Sequence, residues 1–310
     1  MAKSEIIKDL PLACSDEKAA VEFFEKQLWQ GKPHCPHCQS ESVYQMMDAK
    51  TGGRSERFLW RCHSCQKQFT VRVGTVLEES RLPLRYWAYA FWRAASSKKG
   101  VAALEIKRHC QISYKSALFL MHRIRFAMTP EPGTSPKLAG IVECDETYVG
   151  GKPRPGTGPH LRGRGTSKQP VFGMVERGGS ICRQVVANIS GRTLKAAMLN
   201  HVDKGATIMT DELPTYKGVC KEFAGHQVVH HGEREYVNGD ASTNTAESSF
   251  ALLKRGLMGI YHAVSRRHLH RYVNEFDFRW NTRKLNDGDR TKLAVQGAQG
   301  KRLPYHTITQ

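Results

Sequence analysis

Apolar positions along the chain keep two rhythms, and the change from one to the other divides it. Up to residue 128 the helical spacing dominates. "DEKAAVEFFEKQLWQ", residues 16–30, predicts an amphipathic helix with Asp16 near its cap. "LRYWAYAFWRAASS", 84–97, predicts a helix dense in aromatics whose rings belong in a core rather than on a base-stacking surface. "VAALEIKRHC", "QIS" and "YKSALFLMHRIRFAM" predict helix, short turn, helix. Only "FLWRC" and "KQFTVRVGT" break this rhythm, as short strands. "TPEPGTSPK", 129–137, carries the punctuation of a linker.

Beyond it the period shortens. "AGIVECDETYVG" is strand-like, and "PVFGMVERG" with "ICRQVVANIS" predicts a hairpin turning near Gly178 and Gly179. There follow a helix in "TLKAAMLNHV", a strand in "ATIMTDE", a helix in "TYKGVCKEF" and a strand in "HQVVHH". "NTAESSFALLKR" and "SRRHLHRYVNEFDFRWNTR" predict the closing helices. Three strands, then helix, strand, helix, strand, helix is an α/β order. The chain has neither an internal repeat nor a low-complexity tract.

Charge narrows the function. Lys plus Arg number 47 against 29 Asp plus Glu among 310 residues, a formal charge of +18. Such a field attracts polyanions, nucleic acid first and an anionic membrane surface second. No apolar run approaches the roughly 20 residues of a spanning helix. The start, "MAKSEIIKDLPLACSDEKAA", lacks the continuous apolar core of a secretory signal.

Four of the nine cysteines form two Cys-x-x-Cys pairs, Cys35 with Cys38 and Cys62 with Cys65. Two such turns can place four thiolates on one tetrahedral Zn²⁺, whereas disulfides are the weaker reading for an odd total. His34, His37 and His63 are substitute ligands, and redox thiols are the competing chemistry. Cys14, Cys110, Cys144, Cys182 and Cys220 have no such spacing and read mostly as small buried hydrophobes. In the helix-turn-helix candidate, Lys115, Arg123 and Arg125 are the expected DNA contacts, with a plain helical hairpin as the alternative.

Asp145 and Asp211 end apolar strand-like runs, where an acid is costly unless paired or bound to metal. Glu247 lies 36 residues after Asp211 on a helix, and Lys254, seven further on, shares its face. Three carboxylates in an α/β domain suit Mg²⁺ or Mn²⁺. Two such ions about 4 Å apart can support phosphodiester chemistry. Glu143 is the rival to Asp145, since alternate strand residues share a face. Asn244 and Glu275 are rivals to Glu247, and Glu146 and Glu212 are close neighbours. Lys254 and Arg255, with Lys152, Arg154, Arg162 and Arg164 of the Gly- and Arg-rich loop, complete the expected DNA contacts. His262 is a possible auxiliary, as are His230 and His231.

Together, "VECDETYVGGK", "TDELPTY", the block from "NTAESSFALLKRG" to "FRWNTR" and the early cysteine pairs resemble bacterial insertion-sequence transposases of the DDE superfamily, in the branch with an N-terminal zinc ribbon. The resemblance covers about residues 20–290. The expected division is an N-terminal helical segment at 1–30, a zinc ribbon at 31–80, a helix-turn-helix region at 81–128, the linker at 129–137, a catalytic domain at 138–290 for which the resemblance implies a ribonuclease-H-like fold, and a tail at 291–310. The resemblance puts the catalytic acids at Asp145, Asp211 and Glu247 and the following Lys at Lys254. Ser242 stands where related sequences often have His, and the branch varies at the third acid, so Asn244 and Glu247 both stay open. The implied reaction is Mg²⁺-dependent cleavage at element ends, then strand transfer into target DNA. The implied partners are double-stranded DNA, at terminal repeats and target, and further copies of the chain as a homodimer or higher multimer. The implied location is the bacterial cytoplasm, at the nucleoid. A regulator that has lost catalysis and a nuclease on the same fold are the alternatives.

Overall fold

The computed structural model describes residues 6–151, 166–212, 214–216, 218, 220–229, 243–304 and 307. The chain forms two compact units, residues 1–129 with 285–310, and residues 130–284. Among the described residues no helix is long and apolar enough to cross a membrane.

The first unit is mainly helical. It contains α1 (Ile6–Ser15), α2 (Glu17–Trp29), α3 (Leu84–Ser96), α4 (Ala103–Cys110), α5 (Tyr114–Ala127) and the late helix α9 (Asp287–Gln296). Asp16 caps α2, its carboxylate accepting from the Ala19 N–H at 2.7 Å. Between α2 and α3 lies an antiparallel sheet, ordered β1 (Val43–Gln45), β2 (Trp60–Cys62), β3 (Gln68–Phe69). Buried Glu25 on α2 accepts from Trp60 Nε1 at 2.8 Å and from Arg54, tying this small sheet to the helices. Trp87 and Phe91 of α3 are fully buried, the core placement expected of the aromatic helix.

Residues 291–310, expected as a tail, cluster with this unit instead. Asn286 caps α9 through the Asp289 N–H, and α9 packs against α3, burying Thr291, Ala294 and Val295. So short an apolar stripe, flanked by Asp and Lys, gives little sequence signal. Helix α1, with Pro11 inside it, falls in the N-terminal helical segment expected at 1–30, where the apolar pattern marked a helix only over 16–30.

The second unit is built on a five-stranded sheet. Its strands are β4 (Ile141–Val149), β5 (Gln169–Glu176), β6 (Ile181–Val185), β7 (Thr207–Asp211) and β8 (Gly225–Val229), in the order β6-β5-β4-β7-β8. The first three are antiparallel in a meander, while β7 and β8 run parallel to β4. Helix α6 (Gly191–His201) makes the crossover to β7; α7 (Asn244–Gly256) and α8 (Leu269–Asn281) follow β8. The helix expected in "TYKGVCKEF" is replaced by two short 3₁₀ turns, Pro214–Tyr216 and Cys220–Glu222. Strand alternation separates the two faces. Val142, Cys144, Phe172, Met174 and Ile208 pack with α6 on one face. Val171 and Val175 meet the residues of α7 and α8 on the other.

Candidate active site and metal centre

The four cysteines come together as their spacing requires. Sγ of Cys35 lies 3.6 Å from that of Cys65, and Cys38 lies 3.6 Å from Cys62. All four sulfurs are within 4.8 Å of one another. Four thiolates at the Zn–S bond length of about 2.3 Å stand about 3.8 Å apart at the corners of a tetrahedron. The sulfur cage therefore fits zinc. Without metal the thiols share their protons unequally: the backbone N–H of Cys65 helps hold Cys62 down, to about 6, while Cys38, despite the Ser40 backbone N–H, is pushed up to about 12 by burial and the neighbouring sulfurs. Among the described residues His34, His37 and His63 do not join this group.

The acids come from three elements. Asp145 lies on β4 opposite Gly173 of β5, and Asp211 ends β7. The parallel pairing of Ile141 with Thr207, Val142 with Ile208 and Glu143 with Met209, carried two residues further, sets Asp145 beside Asp211. Both therefore share the face that carries α7. That helix approaches the sheet closely: a Cβ on Gly173 would lie 2.7 Å from the Phe250 ring. Glu247 stands one turn inside α7, exposed, with Lys254 and Arg255 exposed further along the same helix.

Asp145 feels this surrounding. Burial, and then the charges of Glu146, Asp211 and Glu247, push its carboxyl up to about 7, against the backbone N–H of Glu146. Crowded carboxylates of this kind are the donor set that a hard divalent cation relieves, so the residues fit Mg²⁺ or Mn²⁺. Among the described residues the acids' oxygens do not gather within 4.8 Å as the sulfurs do.

The rival acids are engaged elsewhere. Glu143, fully buried, accepts from the N–H groups of Thr245 and Ala246 at the start of α7, from Thr245 Oγ1 and from Arg177. Glu146 points to the opposite face and accepts from Tyr216 Oη at 2.9 Å; burial and then that carboxylate hold the Tyr216 hydroxyl well above its usual pKa. Glu275, fully buried in α8, accepts from Tyr261 Oη at 2.8 Å and pairs with Arg279. Asn244 is exposed at the first position of α7. His262 is exposed just past the π-helical turn Leu257–Tyr261, at φ 58°.

Two expected DNA contacts are misplaced. Arg123 is 2% exposed and donates to the carbonyls of Val76, Glu78 and Leu303, and Arg125 is 1% exposed. Burial holds the Arg123 guanidinium down to about 10. They serve the interior of the first unit because α5 turns that side inward, with Leu120, Met121 and Ile124. Lys115 is exposed in the first turn of α5, and Lys107 and Arg108 are exposed on α4. Lys152, Arg154, Arg162, Arg164, His230 and His231 lie outside the described residues.

Sequence comparison meets this geometry at both ends. A family model described as a transposase zinc-ribbon domain matches residues 15–68, and one described as an ISXO2-like transposase domain matches residues 137–281. The chain is 29% identical over 276 residues to an uncharacterized protein in transposable element ISH50 of Halobacterium salinarum, covering 85% of this chain and 90% of that one. A solved structure, the cryoEM structure of a simian T-cell lymphotropic virus intasome in complex with PP2A regulatory subunit B56 gamma, aligns with 15% identity and a TM-score of 0.27. That alignment covers 56% of this chain and 60% of the viral-complex chain, a likeness too slight to bear on fold or partners.

Proposed function

We propose, on the premise that this chain belongs to the insertion-sequence transposases with an N-terminal zinc ribbon, that it cuts DNA at the ends of its own element and joins them to target DNA. The observation that carries this reading is the setting of Asp145 beside Asp211 on the sheet face approached by α7, with Glu247 close enough to disturb the Asp145 carboxyl. The strand order, a three-stranded meander extended by two parallel strands, supports a ribonuclease-H-like domain.

Asp145, Asp211 and Glu247 are the residues that would hold Mg²⁺ or Mn²⁺. Bound there, the ion supplies Lewis-acid stabilisation of charge on phosphate oxygens. Lys254 and Arg255, exposed beyond Glu247, supply positive charge for the phosphate backbone. Helices α4 and α5 act as the helix-turn-helix, with Lys107, Arg108 and Lys115 as its DNA-facing cations. Double-stranded DNA is the partner, in the nucleoid, and strand joining engages two or more copies of the chain.

The test is cleavage of a duplex carrying the element end. Asp145→Asn, Asp211→Asn and Glu247→Gln should each retain folding and DNA binding and lose more than about 100-fold in cleavage. Lys254→Ala should reduce cleavage without erasing it. Normal cutting by Glu247→Gln with none by Asn244→Ala would move the third ligand one turn along. Normal cutting by all of these variants would end the reading.

A further inference from the structure

Helix α7 is capped from outside its own sequence. Thr243, at its N-cap, makes no side-chain cap bond. The donors such a cap would satisfy are the N–H groups of Thr245 and Ala246. Both go instead to Oε2 of Glu143, at 2.8 and 3.0 Å, across more than 100 residues of sequence. Oε1 accepts from Thr245 Oγ1 at 3.0 Å and from Arg177 Nε at 3.1 Å. A fully buried carboxylate is costly, and this one is kept by four donors and the positive end of a helix.

We propose that Glu143 is the positioning residue for Glu247: it pins the first turn of α7 to β4 so that the Glu247 carboxylate stands over Asp145 and Asp211. The proposal rests on the reading of those three acids as the metal-holding group. Glu143 and Asp145 are two residues apart on one strand face, about 6.7 Å along it. Ala246 and Glu247 are consecutive on α7. The Glu143–Ala246 tie is therefore one step from the place where Asp145 and Glu247 must meet. Ala246 also packs with Val175 and Ile181, and further along α7 Arg183 Nη2 donates to the Ser249 carbonyl at 2.9 Å and Phe250 sits on Gly173. Both oxygens of Glu143 are taken by protein donors, so it acts through the helix.

The test uses the full-length, zinc-loaded chain. Mn²⁺ binding is read from the electron paramagnetic resonance of the free ion, and amide hydrogen exchange follows Thr245 and Ala246. Glu143→Gln keeps the side-chain volume but turns an amide group toward those N–H donors. It should weaken Mn²⁺ binding about tenfold or more and speed exchange at both amides. Leu194→Ala, in the core on the opposite sheet face, should lower stability without moving Mn²⁺ affinity. The double variant Glu143→Gln with Thr243→Asn gives α7 a local cap, secures folding and separates cap from tether. It should regain slow exchange yet still bind Mn²⁺ weakly. Recovery of Mn²⁺ binding there, wild-type binding by Glu143→Gln, or an equal loss in Leu194→Ala would each overturn the positioning role. If Asp145→Asn and Glu247→Gln bind Mn²⁺ like wild type, the three-acid reading fails and takes this proposal with it. If they lose binding while Glu143→Gln does not, the positioning role alone falls.

Discussion

The zinc cage and the carboxylate site are assembled in opposite ways. Each half of the cage is a turn of four residues, and the sheet brings the two halves together with sulfurs 3.6 Å apart across them, Cys35 to Cys65 and Cys38 to Cys62. The carboxylates come from a central strand, a parallel neighbour and a helix more than 100 residues from the first acid, and among the described residues their oxygens do not gather within 4.8 Å as the sulfurs do. A closed cage needs only local backbone and a sheet to hold two turns together. An open site for a phosphate must keep like charges close without letting them collapse or splay. In the proposed site the second unit would do so from behind: Glu143 is fastened to α7, and Arg183 to both Asp277 and the Ser249 carbonyl. The cage should thus depend on its metal for its fold, and the acid site on its protein frame.

Removing zinc is the harshest way to break that contrast. Structural zinc contributes on the order of 10 kcal/mol to small modules. Chelation, or Cys62→Ser, should unfold the ribbon, seen as a change in the fluorescence of Trp60, which packs edge-on against Trp29. Stripping divalent ions from the acid site should leave the second unit folded. A ribbon that keeps its Trp60 signal without zinc would erase the distinction.

Substitutions in the frame come next in size. Gly173→Ala would push a methyl group into Phe250 and lift α7, costing about 1–3 kcal/mol. Thermal unfolding checks the cost, and weakened Mn²⁺ binding would show that the frame sets the site. Arg123→Ala should cost a similar 1–3 kcal/mol by stripping three carbonyls of their donor. A loss of DNA affinity at unchanged stability would instead return Arg123 to the DNA surface.

pH offers a smaller probe. The unfolded chain releases the Asp145 proton near pH 4, whereas the metal-free folded chain keeps it to about 7. Between those values the folded state binds more protons. Its stability should therefore fall as pH rises through the window, and Asp145→Asn should remove that part of the slope. Identical slopes in chemical denaturation would mean that neither burial nor the neighbouring charges raise the Asp145 carboxyl. Lys115→Ala, a surface change, should have the least effect, lowering the salt dependence of DNA binding by about one ion.

The sequence by itself determined the elements and their chemistry wherever the cause was local. The Cys-x-x-Cys turns, the Asp16 cap, the aromatic helix and the apolar strand ending in "VECDETYV" follow from residues within a few positions of one another. Resemblance carried over the acids and the ribbon because those stretches keep their pattern. What tertiary structure decided was direction and partnership. The apparent basic face of α5 turns Arg123 and Arg125 inward because Leu120, Met121 and Ile124 must be buried on that side. The last 20 residues include most of a packed helix because α3 offers their small apolar stripe a place. Of two acids on one strand face, Asp145 is left among carboxylates while Glu143 is consumed by the start of α7. Alternation puts both on that face, but only the arrival of a helix end, whose N–H groups must find an acceptor, separates their roles.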